Sequence, residues 1–142
     1  MDSIYKIKKR YESNYWNWNG FKISWNVEGI ENPHPIIFLH GFGASSKHWR
    51  KNTNYFADKG YVVYSLDLIG FGNSAQPGIK EIGKLDNSIW CNQVNDFIKQ
   101  VIRPKNSNKI TLIGNSLGSL VCLLYTSPSP RDLSTSRMPS SA

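Results

Sequence analysis

The stretch Ile110-Thr111-Leu112-Ile113-Gly114-Asn115-Ser116-Leu117-Gly118 decides the fold. Residues that favour β-strands lead into Gly-x-Ser-x-Gly, and residues compatible with a helix follow. This pattern predicts a nucleophile elbow, in which a strand and a helix are joined by a tight turn that carries the serine. We expect Gly114 and Gly118 to lie where the two backbones approach too closely for a Cβ. Ser116 is then expected to adopt a strained conformation that exposes its hydroxyl.

A second glycine-rich stretch follows an earlier strand. Residues 36–39 form the continuous apolar run of a strand buried on both faces. His40-Gly41-Phe42-Gly43 comes directly after it. Parallel strands end at one edge of a sheet, where open α/β sheets bind their ligands. The two motifs are therefore expected to converge.

The convergence predicts an acyl-transfer site. We predict Ser116 as the nucleophile, with the backbone N–H groups of Phe42 and Leu117 as donors to the oxyanion. A helix N-terminus at Leu117 would favour the negative charge that develops there. His40 is expected to brace its loop rather than to act as the base. The predicted supporting residues are His40, Gly41, Gly43, Gly114, Asn115 and Gly118.

The rest of the chain predicts an α/β fold. Alternating aromatic residues over 15–29 contain Asn19-Gly20, which is typical of a hairpin turn. Further strands are predicted over 61–66 and 109–114, and helices over 44–58 and 87–102, so that right-handed crossovers link parallel strands. We interpret the tryptophans of the hairpin as core and edge packing in preference to a ligand platform.

Composition limits the classes of partner. The 142 residues carry a net charge of +7 and fit one domain. The densest basic group is Lys6, Lys8, Lys9 and Arg10, and no basic stripe with interleaved aromatics follows, so we predict no nucleic-acid partner. The chain shows no signal peptide and no apolar run that could span a bilayer, which favours a cytoplasmic protein.

No metal or cofactor is predicted. The two cysteines, Cys91 and Cys122, lack the spacing of metal ligands and are expected to be free thiols.

The sequence changes character at Cys122. Six of the 21 residues from 122 to 142 are Ser and three are Pro, and Pro128 would break the helix that follows the elbow. Residues 122–132 and 136–142 resemble the translated ends of an adapter used in transposase-made sequencing libraries. We therefore predict three segments, namely a basic arm over 1–13, a partial domain over 14–121 and a non-native tail over 122–142.

Residues 14–121 resemble the N-terminal half of an α/β-hydrolase-fold protein. The strand with His40-Gly41-Phe42-Gly43, the Asp67-x-x-Gly-x-Gly-x-Ser74 loop and the serine elbow occur in that family's order. Several segments also resemble the pheophytinase-like branch of plants and cyanobacteria: Trp18-x-Gly20, residues 40–45, residues 48–52 and residues 64–72. The resemblance implies a serine ester hydrolase with a small, apolar ester substrate. That substrate would be a phytyl ester in this branch, and the protein could then contact a membrane surface.

The resemblance also implies that the triad acid and histidine lie downstream of the elbow, beyond this chain. We expect His34 to be solvated, His48 to lie on a helix surface, and Asp67 to brace its loop rather than act as triad acid. Without a base beside Ser116, its hydroxyl is a poor nucleophile at neutral pH. The chain as written is therefore expected to be inactive.

Three alternatives remain open at this stage. Residues 41–46 followed by Asp67 resemble a dinucleotide-binding fingerprint, although His40 and Ser46 depart from it. A hydrolase fold without catalysis could instead bind a ligand or partner. An acyltransferase, a C–C bond hydrolase or a serine haloperoxidase would share these motifs. A dehalogenase or an epoxide hydrolase is disfavoured because each would require Asp at position 116.

Overall fold

The computed structural model describes residues 14–104 and 109–126 of the chain. Within them, five strands form a mixed sheet with the order β1-β2-β4-β3-β5. β1 pairs with β2 and β2 with β4 in antiparallel fashion, whereas β3 pairs with β4 and β5 in parallel. The strands are β1 (Asn14–Trp18), β2 (Phe21–Glu28), β3 (His34–Leu39), β4 (Tyr61–Leu66) and β5 (Thr111–Gly114). This arrangement confirms the predicted N-terminal half of an α/β-hydrolase fold.

Short helices connect the strands. They are a 3-10 helix (Ser46–Trp49), α1 (Thr53–Asp58), α2 (Ile79–Ile82), α3 (Asn87–Phe97) and α4 (Leu117–Thr126). A π-helical turn (Ile98–Ile102) extends α3 and ends where Arg103 takes a left-handed conformation with φ +50°. Asp86 caps the start of α3, and its carboxylate accepts hydrogen bonds from the N–H groups of Ser88 and Ile89.

The helix predicted over 44–58 is wrong as a single element. The segment forms the 3-10 helix and α1, separated by a turn in which the Asn52 N–H donates to the Trp49 carbonyl at 2.8 Å. Its first half is too polar for a continuous apolar stripe, and Trp49 is the residue that packs inward, 4.7 Å from the Phe38 ring. The predicted strand over 109–114 is also shorter, since β5 begins at Thr111.

The hairpin turn joins β1 to β2 as the sequence predicts. Asn19 and Gly20 have φ of +52° and +88°, the two positive values that a type I′ turn requires. Beyond the turn, Trp16 and Trp25 pack edge-on against Phe97 of α3, at 5.5 and 5.6 Å. Aromatic contacts thus pack the hairpin strands against α3.

The sheet is covered on both faces, which explains why β3 is apolar and buried after its first residue, His34. Ile37 and Leu39 belong to the larger core, together with residues of α3 and α4. Ile36 and Phe38 point to the opposite face, where Trp49 and residues of α1 pack. The carboxyl ends of β3, β4 and β5 therefore meet at one edge of the sheet.

The start predicted for the tail, at residue 122, lies inside α4. α4 runs to Thr126, five positions after Val121, and Tyr125 packs against the larger core. Residues 127–142, like the basic arm over 1–13, lie outside the described residues. No helix within the described residues is both long and apolar enough to cross a membrane.

Candidate active site

The turn after β5 has the geometry of a nucleophile elbow. Ser116 takes a left-handed conformation with φ +55°, which costs a non-glycine residue about 1–2 kcal/mol. A Cβ on Gly114 would overlap the Gly118 backbone, and a Cβ on Gly118 would overlap the Leu39 carbonyl. The Asn115 N–H donates to that same carbonyl at 3.2 Å. The two glycines therefore allow α4 to cross directly against β3 and β5, and Ser116 is exposed at the crossing.

The loop after β3 lies against this elbow. A Cβ placed on Gly41 would be 3.2 Å from the Ser116 Cβ and 3.3 Å from the Asn115 carbonyl oxygen. Phe42 is 76% exposed beside it. Within residues 14–104 and 109–126, the N–H groups of Phe42 and Leu117 donate no hydrogen bond. Ser116, a free amide on the neighbouring loop and a free amide at the start of α4 therefore occur together.

His40 is fully buried, with both ring nitrogens in hydrogen bonds. Nδ1 lies 2.8 Å from the Gly41 carbonyl, and Nε2 accepts from the Leu68 N–H at 3.0 Å. The ring is therefore neutral with its proton on Nδ1. Burial lowers its pKa from the ordinary 6.5, while the Gly41 carbonyl and the Asp67 carboxylate partly oppose that shift. His40 thus fixes the loop that carries Phe42 against the loop after β4.

Asp67 is 2% exposed and closes the loop after β4. Its two carboxylate oxygens accept from the Ser46 N–H at 2.7 Å and the Asn73 N–H at 3.0 Å. Its carbonyl accepts from the Ser74 hydroxyl at 2.6 Å. Gly72 leaves room for the carboxylate, since a Cβ there would be 2.5 Å from Asp67 Oδ2. Both carboxylate oxygens are therefore already hydrogen-bonded to backbone N–H groups.

The sequence analysis did not identify two residues of α3 whose side chains hydrogen-bond to the backbone of this loop. Gln93, fully buried, accepts from the Ile69 N–H at 3.1 Å, and the Trp90 indole N–H donates to the Ile69 carbonyl at 3.0 Å. Phe71 of the same loop then packs 5.3 Å from the Phe42 ring. Gln93 lies on the apolar stripe of α3, and a polar residue at such a position is a signal that could have been noticed.

The other two histidines are exposed and lie on other elements. His34 begins β3, at the edge opposite the elbow, with its ring 6.1 Å from that of Tyr61. His48 packs edge-on against Trp49 at 4.8 Å in the 3-10 helix. Among the described residues, no histidine is hydrogen-bonded to the Ser116 hydroxyl. A base for Ser116 is thus not provided by this part of the chain.

Two cavities occur in the described part of the chain. A cavity of about 350 Å³ lies between the hairpin turn, α2 and α3, and another of about 400 Å³ runs beside β5 and α4. Ser116 lines neither of them. The described residues contain no group of three or more His, Cys, Asp or Glu side chains that could hold a metal ion.

Burial raises the Cys122 pKa to about 11, so this thiol is protonated at neutral pH.

Comparison with known proteins identifies the family. The family model of the alpha/beta hydrolase fold matches residues 34–133. The chain is 31% identical over 121 residues to 1-acylglycerol-3-phosphate O-acyltransferase ABHD5 of Sus scrofa, covering 82% of this chain and 32% of that protein. It is 33% identical over 87 residues to 2-hydroxy-6-oxo-6-(2'-aminophenyl)hexa-2,4-dienoic acid hydrolase of Metapseudomonas resinovorans, covering 59% of this chain and 27% of that enzyme.

A solved structure gives the same result for the fold. The thioesterase domain from the curacin biosynthetic pathway superposes with a TM-score of 0.72 at 21% identity, covering 86% of this chain and 43% of that one. The chain spans about a third or less of the length of the two curated relatives named above. The matching family model covers residues of every strand from β3 onward and the serine elbow. The chain belongs to the α/β-hydrolase fold family.

Proposed function

We propose that the protein is a serine ester hydrolase, with Ser116 as nucleophile and the amides of Phe42 and Leu117 as the oxyanion hole. One observation carries the proposal. Ser116 is exposed at φ +55° at the start of α4, in contact distance of the loop that presents Phe42. Strain of this kind persists where the surrounding structure imposes it, and it concentrates at reactive sites.

The proposed reaction is acyl transfer through a covalent intermediate. The Ser116 oxygen attacks the ester carbonyl carbon while its proton passes to a general base. The two amides stabilise the negative oxygen, and the tetrahedral adduct then expels the alkoxide oxygen, which takes the proton back from the base and leaves as the alcohol. Water hydrolyses the acyl-serine in the second step. Because His40 uses both ring nitrogens elsewhere, the base and its acid partner are proposed to come from residues beyond those described. The 142-residue chain is then inactive by itself.

The substrate proposed is an apolar ester. Phe42 is exposed in the loop that contacts Ser116, and its ring packs 5.3 Å from that of Phe71. This aromatic surface suits an aliphatic chain better than a charged group. The phytyl ester of a chlorophyll breakdown product is the specific candidate, on the resemblance to the pheophytinase-like branch. We propose a cytoplasmic location with access to a membrane surface, no metal or cofactor, and no nucleic-acid partner.

Acyl transfer to an acceptor other than water is a second candidate. The relative from Sus scrofa is named as an acyltransferase. Both reactions use the same acyl-serine and differ in the group that accepts the acyl chain. Incubation of the protein with an apolar ester and a glycerophosphate acceptor separates them, because hydrolysis releases free acid and acyl transfer forms a new ester.

A fluorophosphonate probe tests the nucleophile. Applied to the protein expressed from the complete gene, it should label Ser116, and Ser116→Ala should abolish labelling. Ser119→Ala is the matched control, because that serine lies three residues further on and its hydroxyl donates to the Gly114 carbonyl at 2.7 Å. Labelling that persists in Ser116→Ala would overturn the assignment. Absence of labelling in the native protein would favour a non-catalytic binding protein.

The origin of the C-terminal segment is a separate proposal. We propose that residues 122–142 derive from a sequencing adapter, on the resemblance of two of its segments to translated adapter ends. Sequencing of the genomic locus tests this directly. An uninterrupted genomic read that encodes Cys122 to Ala142 would overturn it.

A further inference from the structure

The cavity between the hairpin turn, α2 and α3 is distinct from the site at Ser116. It lies beside β1 and β2, and the sheet order places β4 and β3 between these strands and the elbow at β5. Its volume of about 350 Å³ lies within the range of small-molecule sites. Its walls combine aromatic, aliphatic, amide and carboxylate groups: Trp18, Asn19, Phe21, Ile82, Ile89, Asn92 and Asp96.

Asp96 gives this cavity a directed negative charge. The carboxylate is half-buried, and its Oδ2 accepts from the Trp18 indole N–H at 2.8 Å. Within residues 14–104 and 109–126 this is the hydrogen bond that Asp96 makes, and no cationic side chain pairs with it. Lys22, the next residue after Phe21, lies over the Tyr15 ring at 3.9 Å. The carboxylate therefore faces the cavity without a counter-charge from the described chain.

The aromatic residues of the cavity complete the pattern. Trp18 is 6% exposed, and its indole orientation is fixed by the bond to Asp96. Phe21 follows the hairpin turn and is partly exposed. Aromatic faces attract cations through their quadrupole, most strongly for Trp, and a nearby carboxylate adds a direct charge interaction. Ile82 and Ile89 provide apolar surface that would suit alkyl substituents on such a cation.

We propose that this cavity binds a small organic cation, of the tertiary or quaternary ammonium class, between the aromatic wall and Asp96. Methyl groups on the nitrogen would contact the aromatic and aliphatic residues, and the diffuse positive charge would face the carboxylate. The proposal does not depend on the reaction at Ser116, because none of the cavity residues belongs to the elbow or to the loop after β3.

The test is a titration followed by NMR on the whole 142-residue chain. The chain has five tryptophans, so ¹H–¹⁵N spectra contain five indole signals, and Trp18→Phe assigns the one from Trp18 by its disappearance. Choline is the probe, and its uncharged isostere 3,3-dimethylbutan-1-ol is the comparison ligand. We expect saturable shifts of the Trp18 signal with choline and at least about tenfold weaker binding of the alcohol.

Two variants locate the interaction. Asp96→Asn keeps an oxygen that can accept from the Trp18 indole but removes the charge, and it should weaken choline binding about tenfold while leaving the alcohol unchanged. Phe21→Leu keeps apolar volume and should weaken choline binding severalfold. Asp58→Asn, an exposed change of the same charge on α1, is the matched control and should bind as the native chain does.

Three outcomes would overturn the proposal. Choline that leaves the Trp18 signal unmoved excludes a cation site here. Equal binding of the alcohol and choline means that the cavity recognises apolar shape alone. Equal affinity of Asp96→Asn and the native chain removes the carboxylate from recognition. None of these results bears on the labelling of Ser116, so the two proposals fail separately.

Discussion

Two glycine-containing turns follow parallel strands at the same edge of the sheet, and they differ in how their polar groups are used. In the loop after β4, the Asp67 carboxylate, the Ser74 hydroxyl and the backbone of Asn73 are hydrogen-bonded to one another or to neighbouring elements. In the elbow after β5, Ser116 is exposed and strained, and the Leu117 amide is free within the described residues.

The glycines serve different purposes in the two turns. Gly72 makes room for a buried carboxylate, whereas Gly114 and Gly118 make room for the crossing of a strand and a helix. A buried polar group that is already hydrogen-bonded within the protein is not available to bind a reacting group. A turn that leaves a hydroxyl and an amide unpaired beside each other can bind a reacting group. Glycine content alone does not show whether the polar groups of a turn are paired or free.

The largest expected effect is at the crossing of β3 and α4. Gly118→Ala places a Cβ onto the Leu39 carbonyl, a backbone atom that cannot move without shifting β3. We expect the free energy of unfolding to fall by about 3 kcal/mol or more, measured by urea denaturation. Gly78→Ala is the control, because Gly78 has φ −73° and its nearest neighbour would be 3.9 Å from the new Cβ. Equal stability of the two variants would show that the crossing is looser than described.

A smaller loss of stability is expected from a change at Asp67, which closes the loop after β4. Asp67→Asn keeps the shape of the side chain but turns an NH₂ group toward an N–H donor of Ser46 or Asn73. A buried donor without an acceptor costs about 1–3 kcal/mol, so the free energy of unfolding should fall by that amount. Asp58→Asn, at an exposed position of α1, should change it by less than about 0.5 kcal/mol. A neutral Asp67→Asn would mean that the loop is held by other contacts.

The strands and the elbow could be predicted from the sequence because each has a local signal. The apolar run of β3 and the Gly-x-Ser-x-Gly pattern depend on residues close together in the chain. The positive φ of Ser116 follows from the glycines on either side, which allow the tight turn. Such features are set by local sterics and can therefore be predicted without knowledge of the tertiary contacts.

The connections between loops could not be predicted, since they join residues far apart in the chain. Gln93 reaches the backbone of Ile69 only because α3 packs beneath the loop after β4. The bond from the Trp18 indole to Asp96 likewise depends on where the hairpin meets α3. The split of the helix predicted over 44–58 has the same cause, because Trp49 packs inward on Phe38 and fixes the turn. Tertiary packing decided these features.

His40 joins the loop after β3 to the loop after β4 through its bond with the Leu68 N–H, and the titration of its ring makes stability depend on pH. Burial lowers its pKa below the ordinary 6.5, so the unfolded chain binds more protons than the folded one between the folded-state pKa and about pH 6.5. The stabilising contribution of neutral His40 is complete above pH 6.5 and decreases as the pH falls toward the folded-state pKa. The slope contributed by this group cannot exceed about 1.4 kcal/mol per pH unit.

Denaturation at about pH 7.5 and 5.5 measures this contribution. The native chain should lose stability at the lower pH, and His48→Asn, which alters an exposed ring, should lose a similar amount. His40→Asn should be less stable at both values but should show a smaller difference between them. An identical pH difference in His40→Asn and the native chain would exclude His40 as the titrating group.

The smallest expected effect is a change in the free energy of unfolding at Ser116. Its sign should be opposite to that of the same substitution at Ser119, three residues away. Ser116→Gly should relieve the left-handed strain, a gain of about 1–2 kcal/mol. The greater freedom of glycine in the unfolded chain costs about 0.5–1 kcal/mol, so the free energy of unfolding should rise slightly. Ser119→Gly places glycine inside α4 and removes the bond to the Gly114 carbonyl, so stability should fall by about 1 kcal/mol or more. Ser116→Ala retains the strain and should be neutral. If Ser116→Gly destabilises the chain as Ser119→Gly does, the backbone of the elbow holds no strain to release. The elbow would then differ from the loop after β4 only in the solvent exposure of its polar groups.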